Sequence, residues 1–288
     1  MSLLITSIGF GFVTAAVLAL AAVGFTLQFA VTNVLNLAYA GVMIVAAYAG
    51  YALNERGVNV WVATIGAIVA GSLLSVALNG LIYTPFKRRG SSPIAMVIVS
   101  LGMVLILEFG TQAIAGPTNV SYAMSQGATV KAGSIELTVV QLVLIGLSLV
   151  VMALVHSLIR YTRLGKAMRA TAANPDLARN CGIRTERVVA ATWLISGALC
   201  GLAGATFAIN SGTFSATSAD LFLILILAAV FLGGPGEPYG AMLGALVIGI
   251  ATEASAAVIV SSYKDVVAFV ILLAMMTVRP TGLLGVRA

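Results

Sequence analysis

Apolar residues run through this sequence in long blocks, and polar residues are confined to short breaks between them. The blocks cover 8–30, 33–53, 60–82, 94–115, 138–159, 188–209, 221–234, 240–260 and 264–280. Each comes close to the roughly 20 residues that a helix rising about 1.5 Å per residue needs to cross a bilayer core. The pattern predicts an all-α polytopic membrane protein, one transmembrane domain over 1–288, with about nine crossings and a range of eight to ten. Two places leave the count open. Only a few residues around Ala30 to Thr32 divide the first two blocks. The seventh ends in Gly233-Gly234-Pro235-Gly236-Glu237-Pro238, where prolines and unrestrained glycines stop a helix. The stretch 232–240 is therefore either a turn or a break within an intramembrane helix.

Composition narrows the class further. Of 288 residues, 60% are hydrophobic and 8% charged, whereas a soluble domain carries about 25% charged residues. A water-soluble globule of this size could not cover its surface with so few charges, and disorder, coiled coil and nucleic-acid binding fall with it. The net charge of +6 is instead a topology signal. Lys87, Arg88 and Arg89 follow the third block. Arg160, Arg163, Lys166, Arg169, Arg179, Arg184 and Arg187 lie between the fifth and sixth, and Arg279 and Arg287 close the chain. With alternating crossings these twelve of the fifteen basic residues share one side, which the positive-inside rule makes cytoplasmic. Arg56, Lys131 and Lys264 fall opposite. The N-terminus is then outside and the C-terminus inside. A cleavable leader is not expected, because the first basic residue is Arg56 and the first apolar block is too long.

Two connections are long enough for structure of their own. The outer loop, 116–137, has alternation around Ala128 to Leu137 and is read as a small hairpin or a plain loop. The inner loop, 160–187, says more. Asn174-Pro175-Asp176 is a helix start: Asn caps free N–H groups, Pro suits the first position, and Asp meets the positive dipole end. Gly182 stands where a left-handed terminating residue belongs. Leu177, Ala178 and Cys181 make an apolar face and Arg179 points elsewhere. Such a helix suits either docking on a soluble partner or lying on anionic lipid.

Catalytic chemistry is not visible. The one histidine, His156, sits near the inner end of the fifth block, as an interfacial packing residue or a proton relay. Gly165-Lys166 is followed by Ala167 and lacks the Ser or Thr of a phosphate loop. Any ATP must be bound by a partner. Cys181 and Cys200 have neither the number nor the spacing of a disulfide or metal framework.

Acids inside a membrane are functional candidates by default. Glu108 and Glu253 lie at similar distances along outward-running blocks, so they either line one polar cavity or tie helices together. Asn33 and Asn36, ahead of Gly41 and Tyr48, either border a solute path or make interhelical hydrogen bonds. Gly197 with Gly201, and Gly240 with Gly244, have the spacing that lets helices pack closely.

The residues Arg163 to Ile183, reading RLGKAMRATAANPDLARNCGI, resemble the cytoplasmic loop of permeases from branched-chain amino acid ABC importers. Gly233 to Gly244 resembles their Gly-Gly-x-Gly segment, and Tyr263 to Val267 with Arg279 to Gly285 resembles their last helix and its ending. The resemblance covers nearly the whole chain and implies the branched-chain amino acid/ribose permease type of fold. It also implies a prokaryotic inner-membrane complex of two related permeases (a heterodimer or a homodimer), ATPase subunits that hold ATP and Mg, and an external solute-binding protein. A loop helix seated in a groove of the ATPase carries over onto Asn174, Pro175, Asp176, Leu177, Ala178, Arg179, Cys181, Gly182 and Ile183. One motif departs: the family often has Asn-Phe-Ala-His-Gly where this chain reads Asn36-Leu37-Ala38-Tyr39-Ala40. Asn33, Asn36, Tyr39, Glu108 and Glu253 make up the expected translocation path. The expected solute is a branched-chain or other hydrophobic amino acid. Urea or a short amide is the alternative within the class, and a self-contained channel or ion-coupled carrier the alternative outside it.

Overall fold

The computed structural model describes residues 2–124, 127–132, 135–257, 263–279 and 281–285. Every apolar block contains a helix. In chain order these are α1 (Ser2–Thr32), α2 (Tyr39–Glu55), α3 (Val60–Leu78), a π-helical turn (Asn79–Tyr83) running into α4 (Thr84–Arg88), and α5 (Pro93–Ala115). A two-stranded antiparallel hairpin follows, β1 (Thr129–Ala132) and β2 (Ile135–Thr138), in the register Val130 opposite Leu137. Then come α6 (Val139–Tyr161), α7 (Arg163–Ala173), α8 (Pro175–Asn180), α9 (Thr185–Ser211), α10 (Ser218–Gly233), α11 (Pro238–Ser255) and α12 (Lys264–Val278). Among the described residues, five helical stretches are long and apolar enough to cross a membrane: α1, α3 with its continuation to Arg88, α5, α6 and α9. Of the two forms expected for the 116–137 loop, the hairpin is the one present.

The bundle has a buried centre and an apolar rim. α1 packs along α9 and α11, and α9 also packs along α3 and α2. The side chains of Leu18, Leu20, Met43, Trp193, Ile226 and Ile248 are almost wholly enclosed. α3, α5, α6 and α12 instead turn Ile65, Leu73, Ile106, Phe109, Leu149, Leu154 and Val270 outward. A belt of exposed aliphatic side chains costs nothing against lipid and much against water.

The glycine pairs bring backbones together. Gly197 and Gly201 of α9 abut Gly71, Ser72 and Ala67 of α3, and Ser75 donates its hydroxyl to the Trp193 carbonyl (2.8 Å). Gly240 and Gly244 of α11 abut Gly233 and Ala229 of α10. The α10–α11 connection is a tight turn. Gly234 has φ +112° and the Glu237 N–H returns to the Gly234 carbonyl. The chain end caps this turn: the N–H groups of Leu283 and Leu284 donate to the carbonyls of Leu232 and Gly233 (2.8 and 3.0 Å). The Gly-Gly-x-Gly segment and the Leu283–Leu284 stretch, separated in sequence by α11 and α12, are therefore one structural unit.

One boundary differs from the sequence reading. α1 continues through Ala30 to Thr32, and the break falls at 33–38, which is not helical. Asn33 causes it. The residue takes a left-handed conformation (φ +53°) while its N–H still donates to the Phe29 carbonyl, a helix-terminating arrangement that Asn tolerates better than most residues.

Candidate functional site

The clearest construction for contact with another protein is the arm from Tyr161 to Ile183. α6 ends at Thr162, which is extended, and the Thr162 hydroxyl accepts from the Gly165 N–H (3.0 Å) to start α7. Gly165 sits directly on the Leu158 and Ile159 carbonyls, where any side chain would collide. α7 is a helix that the inner-loop reading does not contain. Its buried face, Gly165, Met168 and Thr171, has i, i+3, i+6 spacing, and Met168 joins Val31 of α1 and Val188 of α9 in a small core. Lys166 and Arg169 look out.

α8 has both of its predicted ends. Asn174 Oδ1 accepts from the N–H groups of Asp176 (3.1 Å) and Leu177 (2.9 Å), with Pro175 at the first position. At the other end Gly182 has φ +84°, its N–H donates to Arg179, and the Ile183 N–H donates to Ala178. This 6→1 and 5→2 pair is a Schellman termination, for which glycine is the natural residue. Arg179 lies 3.8 Å from Asp176 on the exposed side. The apolar face differs from the one expected. Ala178 is buried (4% exposed) because it seats the helix on its own protein, so it does not join Leu177 and Cys181 on an outward face. Leu177 is 60% exposed and Cys181 is an exposed free thiol. What α8 offers outward is a large aliphatic group, a thiol and the Asp176–Arg179 pair.

The expected path residues are distributed over the bundle rather than gathered. Asn33 is exposed at the end of α1. Asn36 is buried and accepts a 2.5 Å hydrogen bond from the Tyr83 hydroxyl. Tyr39 is buried too. Its hydroxyl donates to the Ser196 carbonyl (3.4 Å), and its own carbonyl accepts from Cys200 Sγ (3.2 Å), tying α2 to α9. Ser196 Oγ in turn donates to the Gly24 carbonyl (2.8 Å) on α1, with Gln28 Oε1 3.2 Å away. Glu253 forms an ion pair with Lys264 (3.0 Å) and accepts from the Thr14 hydroxyl (3.1 Å). Glu108 is 2% exposed and lies against the carboxyl of Asp220, a residue at the edge of the seventh block. The two intramembrane acids therefore have separate partners. His156 makes a 2.8 Å hydrogen bond with the Tyr239 hydroxyl, joining α6 to the start of α11.

At the hairpin end a strap closes over the bundle. Val120 and Phe214 exchange two backbone hydrogen bonds of 2.9 Å. The Tyr122 hydroxyl donates to the Ala47 carbonyl (2.8 Å), and Asn54 Oδ1 accepts from the Ala123 N–H (2.6 Å). Burial pushes the Tyr122 hydroxyl's pKa up, so it remains a neutral donor. Tyr48, Tyr51, Tyr122 and Phe214 pack edge to face or stacked in one aromatic group. Sequence reasoning contains neither this strap nor Asp220.

Comparison with known proteins places the chain in a family. The model of the family described as branched-chain amino acid transport system / permease component matches residues 7–276. The high-affinity branched-chain amino acid transport system permease protein LivH of Salmonella typhimurium is 30% identical, over 93% of this chain and 91% of the relative. BraD of Pseudomonas aeruginosa, described in the same words, is 27% identical over 93% and 91%. The solved structure of PsaBC from Streptococcus pneumoniae in complex with Fab is alike in fold, with a TM-score of 0.52 at 15% identity over 94% of this chain and 91% of that one. A helical membrane bundle with a preformed loop helix, matched along almost its full length, belongs to the permease components of branched-chain amino acid transport systems.

Proposed function

We propose that this permease carries branched-chain or other hydrophobic amino acids into a prokaryotic cell across the inner membrane, driven by ATP hydrolysed on separate subunits. The observation that carries the reading is α8, a six-residue helix capped at both ends that points Leu177 and Cys181 away from the bundle. A short surface helix with a full cap at each end is ordered before it meets a partner, so docking does not have to supply that ordering. Met168 holds the arm on α1 and α9, α8 lies against α9, and Gly165 holds the arm on α6. Force applied at Leu177 therefore reaches three membrane helices. Tilting these against their neighbours opens the path first to one side and then to the other.

The same reading puts the arm in the cytoplasm, the N-terminus and the β1–β2 hairpin outside, and an external solute-binding protein over the strap. A second, homologous permease completes the path. ATP and Mg are held by the separate ATPase subunits. In the path, Glu108 offers a buried carboxyl oxygen without a partner, while Asn36, Tyr39 and Glu253 act through helix ties. The test is uptake by the assembled importer, with its solute-binding protein, in proteoliposomes containing ATP. ATP-dependent accumulation of leucine supports the reading. Accumulation of urea with none of leucine overturns the amino-acid assignment, and flux through this chain alone without ATP overturns the importer assignment.

A further inference from the structure

α7 carries three cations on one face. Arg163, Lys166 and Arg169 follow one another at i, i+3 and i+6, all exposed, on the side opposite the buried Gly165, Met168 and Thr171. Among the described residues no carboxylate pairs with any of them. The nearest acids in sequence, Asp176 and Glu186, pair with Arg179 and Arg88 instead. Like charges one turn apart weaken a helix by mutual repulsion, so this face calls for an anion laid across it.

The depth of α7 says which anion. Gly165 lies against the Leu158 and Ile159 carbonyls, so the first turn of α7 sits beside the last turn of α6 and not beyond it. Met168 meets Val31, in the last turn of α1, and Val188, in the first turn of α9. α7 is therefore level with the ends of three membrane helices. One of them, α6, belongs to the apolar rim: Leu154 is 63% exposed and Tyr161 69%. Acyl chains lying along α6 end beside α7. Arg160 and Tyr161, in the last turn of α6, mark the depth at which basic and aromatic side chains meet lipid headgroups. A cytoplasmic leaflet containing anionic lipid attracts cations held at that depth.

We propose that Arg163, Lys166 and Arg169 form a binding stripe for the phosphate groups of anionic phospholipid, whose acyl chains rest on the outer side of α6. The stripe faces away from the side of α7 that meets α1 and α9, so the leaflet steadies the arm from outside while α8 stays free for its partner. The proposal takes from the reading above only the arm's place at the inner membrane surface.

The experiment titrates the detergent-solubilised importer with phosphatidylglycerol or phosphatidylcholine and reads the thermal midpoint. Phosphatidylglycerol is expected to raise the midpoint of the wild type and phosphatidylcholine to leave it unchanged. Each cation near an anionic surface contributes about a fivefold preference, so Arg163→Gln, Lys166→Gln and Arg169→Gln together should raise the half-maximal phosphatidylglycerol concentration about a hundredfold. Arg163→Lys, Lys166→Arg and Arg169→Lys together keep the charge and should respond as the wild type does. If the triple glutamine variant is not recovered, Lys166→Gln alone decides, with a shift of about fivefold expected. A wild type indifferent to phosphatidylglycerol, or a glutamine variant that responds as the wild type does, overturns the stripe and leaves the amino-acid transport reading standing. The same rise produced by inorganic phosphate assigns the stripe to a free anion and overturns the lipid. Loss of the ATPases from the glutamine variant assigns the stripe to a protein contact and overturns it as well.

Discussion

Gly201→Leu is expected to abolish recovery of folded protein. Gly201 sits where α9 crosses α3, and a Cβ there would overlap the Ala67 carbonyl and approach Ile68 Cα. Those atoms are backbone inside a helix and cannot rotate aside. Gly197, one turn earlier, meets Gly71 and Ser72 in the same way, so the two helices cannot slide to make room. Overpacking of a well-filled core costs about 1–3 kcal/mol where side chains can adjust and more where they cannot. Against a typical stability of about 5–15 kcal/mol, a change of this kind is among the largest a single substitution produces. The check is the yield of monodisperse protein in detergent, with its thermal midpoint. Gly146→Leu is the control. Gly146 lies in α6, and a Cβ added there would have nothing within 4 Å, so leucine faces open space and should be recovered as wild type.

Leu177→Asp should leave the protein folded and inserted while detaching the ATPases. Leu177 is 60% exposed and packs on nothing that the bundle needs. Set into a groove of a partner, it would be desolvated, and a carboxylate in its place would be buried without a counter-charge. Loss of a central apolar contact of this type costs about 2 kcal/mol or more, a factor of about 30 in affinity. Co-purification of tagged ATPase reads the effect directly. Unchanged co-purification would remove Leu177 from the interface. Ala178→Asp would not serve as a test, because Ala178 is buried in the arm and its replacement would unseat α8 regardless of any partner.

Much of the bundle is legible in the chain because the bilayer demands long apolar runs, and each of the nine blocks contains a helix. The ends of α8 are legible for a different reason. Capping by Asn174 and termination at Gly182 involve only neighbours within a few residues. The face of α8 is not legible in the same way: Leu177, Ala178 and Cys181 look contiguous in sequence, but only tertiary packing decides which of them turns inward. α7 escapes notice because only Leu164 and Met168 among its side chains are large and apolar, and Arg163, Lys166 and Arg169 are set among them. Gly165, Met168 and Thr171 at threefold spacing are the signal that would have revealed it. Glu108 stands out as an acid in an apolar run, but its partner Asp220 lies 112 residues on, at the edge of another run, and only the meeting of α5 with α10 joins them. Glu253 finds Lys264 eleven residues later across a helix connection. Asn36 and Tyr39 read equally as path or as ties until Tyr83 and Ser196 are seen beside them.

Docking and transport both require the arm to face the cell interior, and the chain carries its own reporter for this. Cys181 is an exposed free thiol on the arm, and Cys200, the one other cysteine, is buried in α9. A membrane-impermeant maleimide should therefore modify Cys181 in inside-out vesicles and leave it unmodified in intact cells, with assembled ATPase slowing the reaction. Modification of Cys181 from the outside of intact cells would contradict the orientation, the docking role of α8 and the transport mechanism built on them.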